Sequence, residues 1–275
     1  MRLAGWLLAL GLAWAGAAAA DETALHDLSD ELDAAPWEAV GRLDIEGKGF
    51  CTGTLIGPDL VLTAAHCLYD RASGNRVDPS RIEFRAGFRN GWAAASITAR
   101  RAMAHPAYVF NATVGAADSA HDIALVELAQ PIDAPVTPFE TADDVGTGAT
   151  VSVVSYAVGR SEVPSREDAC GVLGSEAGVL VLTCAVDFGA SGAPIFAMDG
   201  SIARIVSVVS AKGELGGRRV SLGTSLAQPL RELREAFAAA LMPQGRRLAA
   251  GEHAEIGARF VSAAGDLNAA PVLPR

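Results

Sequence analysis

The stretch I-E-F-R-A-G-F, residues 82–88, alternates apolar and polar positions from end to end. Ile82, Phe84, Ala86 and Phe88 fall on one side of a pleated strand, with Glu83, Arg85 and Gly87 on the other. A period of two describes a strand with one face in a core and the other in water. Short runs rich in Val, Ile, Leu, Thr and Phe recur along the chain: V-G-R-L-D-I, G-F-C-T-G-T-L-I, D-I-A-L-V-E-L, A-T-V-S-V-V-S-Y, G-V-L-V-L-T-C-A-V, A-P-I-F-A, I-A-R-I-V-S-V-V-S and R-V-S-L-G-T-S-L. Asp199-Gly200 separates two of them as a tight hairpin turn. Many short strands punctuated by turns point to all-β barrels or sandwiches. One helix interrupts the pattern: Pro229 suits a first turn, and Leu230, Leu233, Phe237 and Leu241 follow at helical spacing before Pro243 and Gly245 stop it.

The 275 residues suffice for one large β domain or two small ones. Residues 1–20 carry one charge, Arg2, then an apolar run, then small residues ahead of Asp21. They read as a signal peptide cleaved near Ala20, which sends the chain to the periplasm or the exterior. Residues 21–35 read as an exposed acidic arm, 36–135 and 136–241 as two β units, the second with the helix, and 242–275 as a loosely structured tail. The Pro131–Val145 stretch, rich in Pro, Asp and Thr, is the best linker. Without Arg2, 21 Lys and Arg face 32 Asp and Glu, a net charge of −11. That balance argues against nucleic acid or an anionic membrane as partner. Four cysteines, Cys51, Cys67, Cys170 and Cys184, allow three pairings. Export and local spacing favour Cys51–Cys67 and Cys170–Cys184 over a zinc site, since no C-x-x-C accompanies them.

Three residues carry the chemistry. In L-V-L-T-A-A-H-C, His66 ends a β run beside Cys67. A Cys51–Cys67 bridge would pin two adjacent strands next to the imidazole, and closing a loop of that size contributes about 3 kcal/mol. Asp122 opens an apolar strand, where a partly buried carboxylate needs a donor such as an imidazole N–H. Ser191 sits in V-D-F-G-A-S-G-A-P-I-F, between glycines whose backbone N–H groups can converge on one point. Taken alone, that Gly-Ser turn is an ordinary strand connection. With His66 and Asp122 it is the set required for a serine nucleophile, a general base and an orienting carboxylate. His26, His105, His121 and His253 are read as surface or loop residues.

The blocks T-A-A-H-C, D-I-A-L and G-A-S-G-A-P, in that order and with Cys51 upstream, resemble the signature blocks of the trypsin-like (chymotrypsin-fold) serine peptidases. P-W-E-A-V-G-R-L and C-T-G-T-L-I-G resemble the bacterial branch that includes the glutamyl endopeptidases. The resemblance spans roughly residues 36–241. It implies two perpendicular six-stranded antiparallel β-barrels and a C-terminal helix, with His66 and Asp122 from the first barrel and Ser191 from the second. It implies an oxyanion hole from the N–H groups of Gly189 and Ser191, polypeptide substrates, and no cofactor or metal; a monomer is expected. It matches Ser207 to a serine whose hydroxyl contacts the triad aspartate, on a strand that pairs with substrate. It puts Ala185 where trypsin-like enzymes carry the acid that selects Arg and Lys. Val209 falls on a pocket wall where enzymes accepting large side chains have glycine. With Ser207 and Val208 these residues give an expected pocket for small or medium apolar side chains, and Asp187 is close enough to alter it.

The chain departs from the pattern in three places. No I-V-G-G-like start is present, Cys184 lies only seven residues before Ser191, and Ala190 replaces the aspartate that pairs with a buried N-terminal ammonium in cleavage-activated members. Two other functions compete with a peptidase. One is a non-catalytic binding protein on the same scaffold, which usually lacks a triad residue. The other is an esterase, whose nucleophile elbow brings the order Ser, Asp, His, the reverse of the order here.

Overall fold

The computed structural model describes residues 24–47, 49–111, 116–133, 135–143 and 145–241. The expected signal peptide and the expected tail both lie outside them.

Six strands make a closed antiparallel barrel: β2 (Val40–Ile45), β3 (Gly49–Gly57), β4 (Leu60–Thr63), β5 (Ile82–Ala86), β6 (Ala95–Ala104) and β7 (Ala124–Leu128), in the order β2-β3-β4-β7-β6-β5. The alternation is realised over strand β5, with Ile82, Phe84 and Ala86 buried and Glu83 exposed; past the strand end it stops, and Gly87 is buried along with Phe88. Phe84 fills the barrel with Leu43, Leu55 and Val126. It can do so because Gly41 stands opposite; a Cβ there would fall 2.5 Å from the Phe84 ring.

The second half repeats the plan with β8 (Thr150–Ala157), β9 (Arg160–Glu176), β10 (Val179–Leu182), β11 (Pro194–Asp199), β12 (Ile202–Leu215) and β13 (Arg218–Ser225). Their order is β9-β10-β13-β12-β11-β8, and β8 also pairs with β9, so the sheet closes on itself. Asp199-Gly200 makes the β11–β12 hairpin, with Gly200 at φ 61°.

The described part of the N-terminal arm is mostly exposed, as its composition suggested, but it is docked. Residues Leu25–Asp27 form β1, antiparallel to Ser165–Glu167 of β9, and Asp27 accepts a hydrogen bond from the Ser165 hydroxyl at 2.7 Å. Leu28 is 1% exposed. A short helix α1 (Glu31–Ala34), capped by Asp30, then leads to buried Trp37. Leu28 and Trp37 join Leu62 and Leu125 of the first barrel, Phe196 and Val208 of the second, and Leu230, Leu233 and Phe237 of helix α2 (Ala227–Ala239). This layer glues the barrels, each fully buried Leu or Phe contributing about 1.5–3 kcal/mol. Helix α2 ends before Leu241, which was expected to extend its apolar stripe.

Both expected disulfides are present. Cys51–Cys67 ties β3 to the turn after β4, and Cys170–Cys184 ties β9 to the segment after β10. His105 lies in the loop after β6 but is buried, not at the surface: it is 3% exposed, stacked on His121, with Nε2 3.2 Å from the Glu232 carboxylate of α2. Among the described residues, no helix is long and apolar enough to cross a membrane.

Candidate active site

His66 sits in the one-turn helix Ala65–Leu68 that follows β4, and Asp122 lies between a short 3-10 helix ending at His121 and strand β7. Because β4 and β7 pair, with Thr63 opposite Ala124, the two residues leave the same barrel end together. Asp122 has no solvent exposure and His66 has 5%. One Asp122 oxygen accepts the His66 backbone N–H at 2.9 Å, and the other accepts the ring Nδ1 at 2.7 Å. An ionised carboxylate can only accept, so Nδ1 carries the proton and Nε2 is the basic nitrogen.

The second Asp122 oxygen has a further donor, the Ser210 hydroxyl at 2.5 Å. The expected donor was Ser207, and the structure corrects it: Ser207 donates to the Thr224 carbonyl at 2.8 Å. The cause is a bulge in β12. Val209 pairs with Gly223 and Ala211 with Leu222, leaving Ser210 as the extra residue. A bulge re-aims the side chain it carries, and strand alternation cannot foresee it. Ser210 is therefore a site residue that the sequence reading missed; the signal available was a second serine three positions on.

Ser191 lies on the turn between β10 and β11 and lines one cavity of about 200 Å³ with His66. Nε2 of His66 is buried without a hydrogen-bond partner among the described residues, and such bonds commonly tighten only when substrate binds. The N–H groups of Gly189 and Ser191 likewise meet no acceptor among the described residues. The turn depends on its glycines. Gly189 has φ 98° and Gly192 φ 79°, and a Cβ on Gly192 would fall 2.1 Å from Thr63 Oγ1.

The cavity walls differ from those expected. Val209 lines it, but Ala185, Ser207 and Val208 do not. Ser207 and Val208 are buried inside the fold, and the Ala185 N–H is held by Glu167 at 2.8 Å. Val186, Phe188, Ala211 and Lys212 line it in their place, together with Asp187 and Arg71. Asp187 is ion-paired to Lys212 at 2.9 Å; that hydrogen bond, with a second from the Phe188 N–H, holds its carboxyl below the usual range. Lys212 also sits 4.2 Å from the centre of the Phe188 ring. On the other side of Ser191, a cavity of about 490 Å³ is bordered by Phe50, Tyr69, Val158 and Phe188.

Among the described residues, two clusters have the donor types of a metal site, His66 with Cys51 and Cys67, and Glu167 with Cys170 and Cys184. All four sulfurs are in disulfides and offer no thiolate.

Comparison with known proteins adds three findings. The family model described as Trypsin matches residues 30–228. A glutamyl endopeptidase of Bacillus licheniformis is 26% identical over 201 residues, in a match covering 70% of this chain and 60% of that protein. The chain therefore spans about 60% of the length of this curated relative. The solved structure of a Glu endopeptidase in complex with MPD superposes with a TM-score of 0.65 at 21% identity, covering 80% of this chain and 98% of the other.

Proposed function

The chain belongs to the trypsin family, and on that premise we propose that it is an exported serine endopeptidase acting through Ser191, His66 and Asp122. One observation carries the reading: a buried His66–Asp122 pair with its basic Nε2 uncommitted, opening on the cavity that holds Ser191.

Nε2 of His66 takes the Ser191 proton as Oγ attacks the carbonyl carbon of the scissile bond. The charge that develops on the carbonyl oxygen is received by the N–H groups of Gly189 and Ser191. His66 then gives its proton to the departing amine, leaving an acyl group on Ser191. Water, deprotonated by the same nitrogen, hydrolyses the acyl-enzyme. Asp122 keeps the imidazole in the required tautomer and stabilises its cation.

The residue before the scissile bond enters the 200 Å³ cavity. Val186, Val209 and Ala211 suit a small or medium apolar side chain, and differences of a methylene there are worth about 1–3 kcal/mol. Asp187 does not act as a selector for Arg and Lys, because Lys212 already neutralises it. A second reading, an acidic side chain in this cavity, is favoured by Arg71 among its lining residues and agrees with the name of the Bacillus relative.

The test is labelling by a fluorophosphonate and hydrolysis of a peptide library. Labelling of wild-type protein and loss of turnover by about 10⁶-fold in Ser191→Ala are expected. Unlabelled wild-type protein, or a Ser191→Ala variant with near-normal turnover, overturns the assignment; the former favours a binding protein on this scaffold. Cleavage after Ala and Val supports the apolar pocket, cleavage after Glu supports the second reading, and cleavage dominated by Arg or Lys contradicts both.

A further inference from the structure

An oxyanion hole works only if the Phe188–Gly189 peptide points its N–H toward the reacting carbonyl. A flip of that peptide would turn the carbonyl inward and abolish the hole. In the cleavage-activated relatives an ammonium–aspartate pair settles the matter, but Ala190 is fully buried and offers no carboxylate. Something else has to fix the turn.

The Phe188 carbonyl accepts the Val158 N–H at 2.7 Å. In a trans peptide the C=O and N–H point in opposite directions, so the Gly189 N–H faces away from Val158. The next carbonyl, that of Gly189, accepts the Thr52 hydroxyl at 2.9 Å. The carbonyl after the nucleophile, that of Ser191, accepts the Thr52 backbone N–H at 2.9 Å. Thr52 is itself immobilised. It has no solvent exposure, its hydroxyl oxygen accepts the Tyr156 N–H at 3.1 Å, and its carbonyl accepts the Thr63 hydroxyl at 2.8 Å. These bonds also fix the direction of the one hydroxyl proton. With the Tyr156 amide donating to the oxygen, the proton is directed to the Gly189 carbonyl.

We propose that Thr52 is a positioning residue that clamps the oxyanion turn from the first barrel, in place of an ammonium–aspartate pair: by holding the Gly189 and Ser191 carbonyls it fixes the Gly189–Ala190 and Ser191–Gly192 peptides, which flank the Ala190–Ser191 peptide and adjoin the Phe188–Gly189 peptide, and so keeps the Gly189 and Ser191 N–H groups turned to the site. The proposal rests on the peptidase reading above. Thr52 touches no substrate; it acts through the turn. Valine keeps its shape and can neither donate to Gly189 nor accept from Tyr156, whereas serine can do both.

The experiment compares wild type with Thr52→Val, Thr52→Ser and Thr52→Ala. It measures kcat and KM on a peptide amide, affinity for a peptide aldehyde whose hemiacetal oxygen needs the oxyanion hole, and Tm. Thr52→Val is expected to lower kcat about 10²-fold, near the loss from deleting an oxyanion donor, with KM within about threefold of wild type. Aldehyde affinity is expected to fall in parallel with kcat, and Thr52→Ser to stay within about threefold of wild type. Serine and alanine differ by one hydroxyl, so the ratio of those two variants carries the test if Thr52→Val does not fold. A lowered Tm with unchanged kcat and aldehyde affinity in an active enzyme overturns the clamp alone. A wild-type protein that neither hydrolyses peptides nor takes a fluorophosphonate overturns the peptidase reading, and the clamp with it.

Discussion

A carboxylate with no exposure to water survives in a protein only if donors replace its hydration shell. Asp122 has the His66 backbone N–H, the His66 ring and the Ser210 hydroxyl. Ser210 in turn lies 3.0 Å from the Ser119 hydroxyl, and since its own proton goes to the carboxylate, Ser119 is the donor in that contact. Hydrogen bonds to a charged group contribute about 1.5–3 kcal/mol, against about 1 kcal/mol for a neutral pair. Ser210→Ala is therefore expected to lower kcat/KM about 10- to 100-fold by loosening the carboxylate that orients the base. Ser207→Ala, which breaks only a neutral bond to the Thr224 carbonyl, is expected to cost stability and leave kcat/KM within a factor of about three. Steady-state kinetics and thermal melts on the two variants decide it; the reverse pattern would restore Ser207 to the site.

At the scale of elements, most strands and both disulfides followed from local signals, because alternation, Gly turns and cysteine spacing are written in contiguous residues; β6 (Ala95–Ala104) and β9 (Arg160–Glu176), polar and without a clean alternation, did not. The pocket was not legible for the same reason. Whether Ser207 or Ser210 faces Asp122 depends on a bulge created by pairing with β13, and Val208 turns into the layer between barrels, away from substrate. The arm misled through its acidity: three residues of main-chain pairing and one buried leucine dock a segment that looks like a solvated tail. His105, which follows β6 and packs against α2, was hidden likewise by its polar type. Burial, and then the neighbouring His121, hold its pKa below the ordinary value, against the opposing pull of Glu232. A histidine of depressed pKa stays neutral in the fold while the unfolded chain takes up a proton. Stability is thus fully present above the unfolded value of about 6.5 and is lost as pH falls from there toward the folded value. The Tm advantage of wild type over His105→Gln is expected to shrink between pH 7.5 and pH 5. An advantage that grows on acidification would mean that Glu232 dominates and the pKa is raised.

For the molecule as a whole, the site exists only where the two barrels meet, so whatever fixes their contact fixes the chemistry. In cleavage-activated relatives a new chain end travels into that contact. Here the place such an end would seek is filled by Ala190, and the described N-terminal chain is occupied elsewhere, with β1 on the outer edge of β9 and Leu28 in the layer between barrels. An ammonium moved beside Ala190 would be a buried charge without a carboxylate at that residue, which is strongly unfavourable. Versions of the protein starting at several points between Asp21 and Pro36, each with and without one extra residue, are therefore expected to share the same kcat. Their stabilities are expected to differ. Starts beyond Leu28 lose the β1 ladder, the Asp27–Ser165 bond and a buried leucine worth about 2–5 kcal/mol, and should melt at least several degrees lower. Turnover per active site, titrated with a fluorophosphonate, separates the two effects. One start site giving a several-hundred-fold rise in kcat that a single added residue abolishes would show that the chain end does enter the site, and that the oxyanion turn is switched by it.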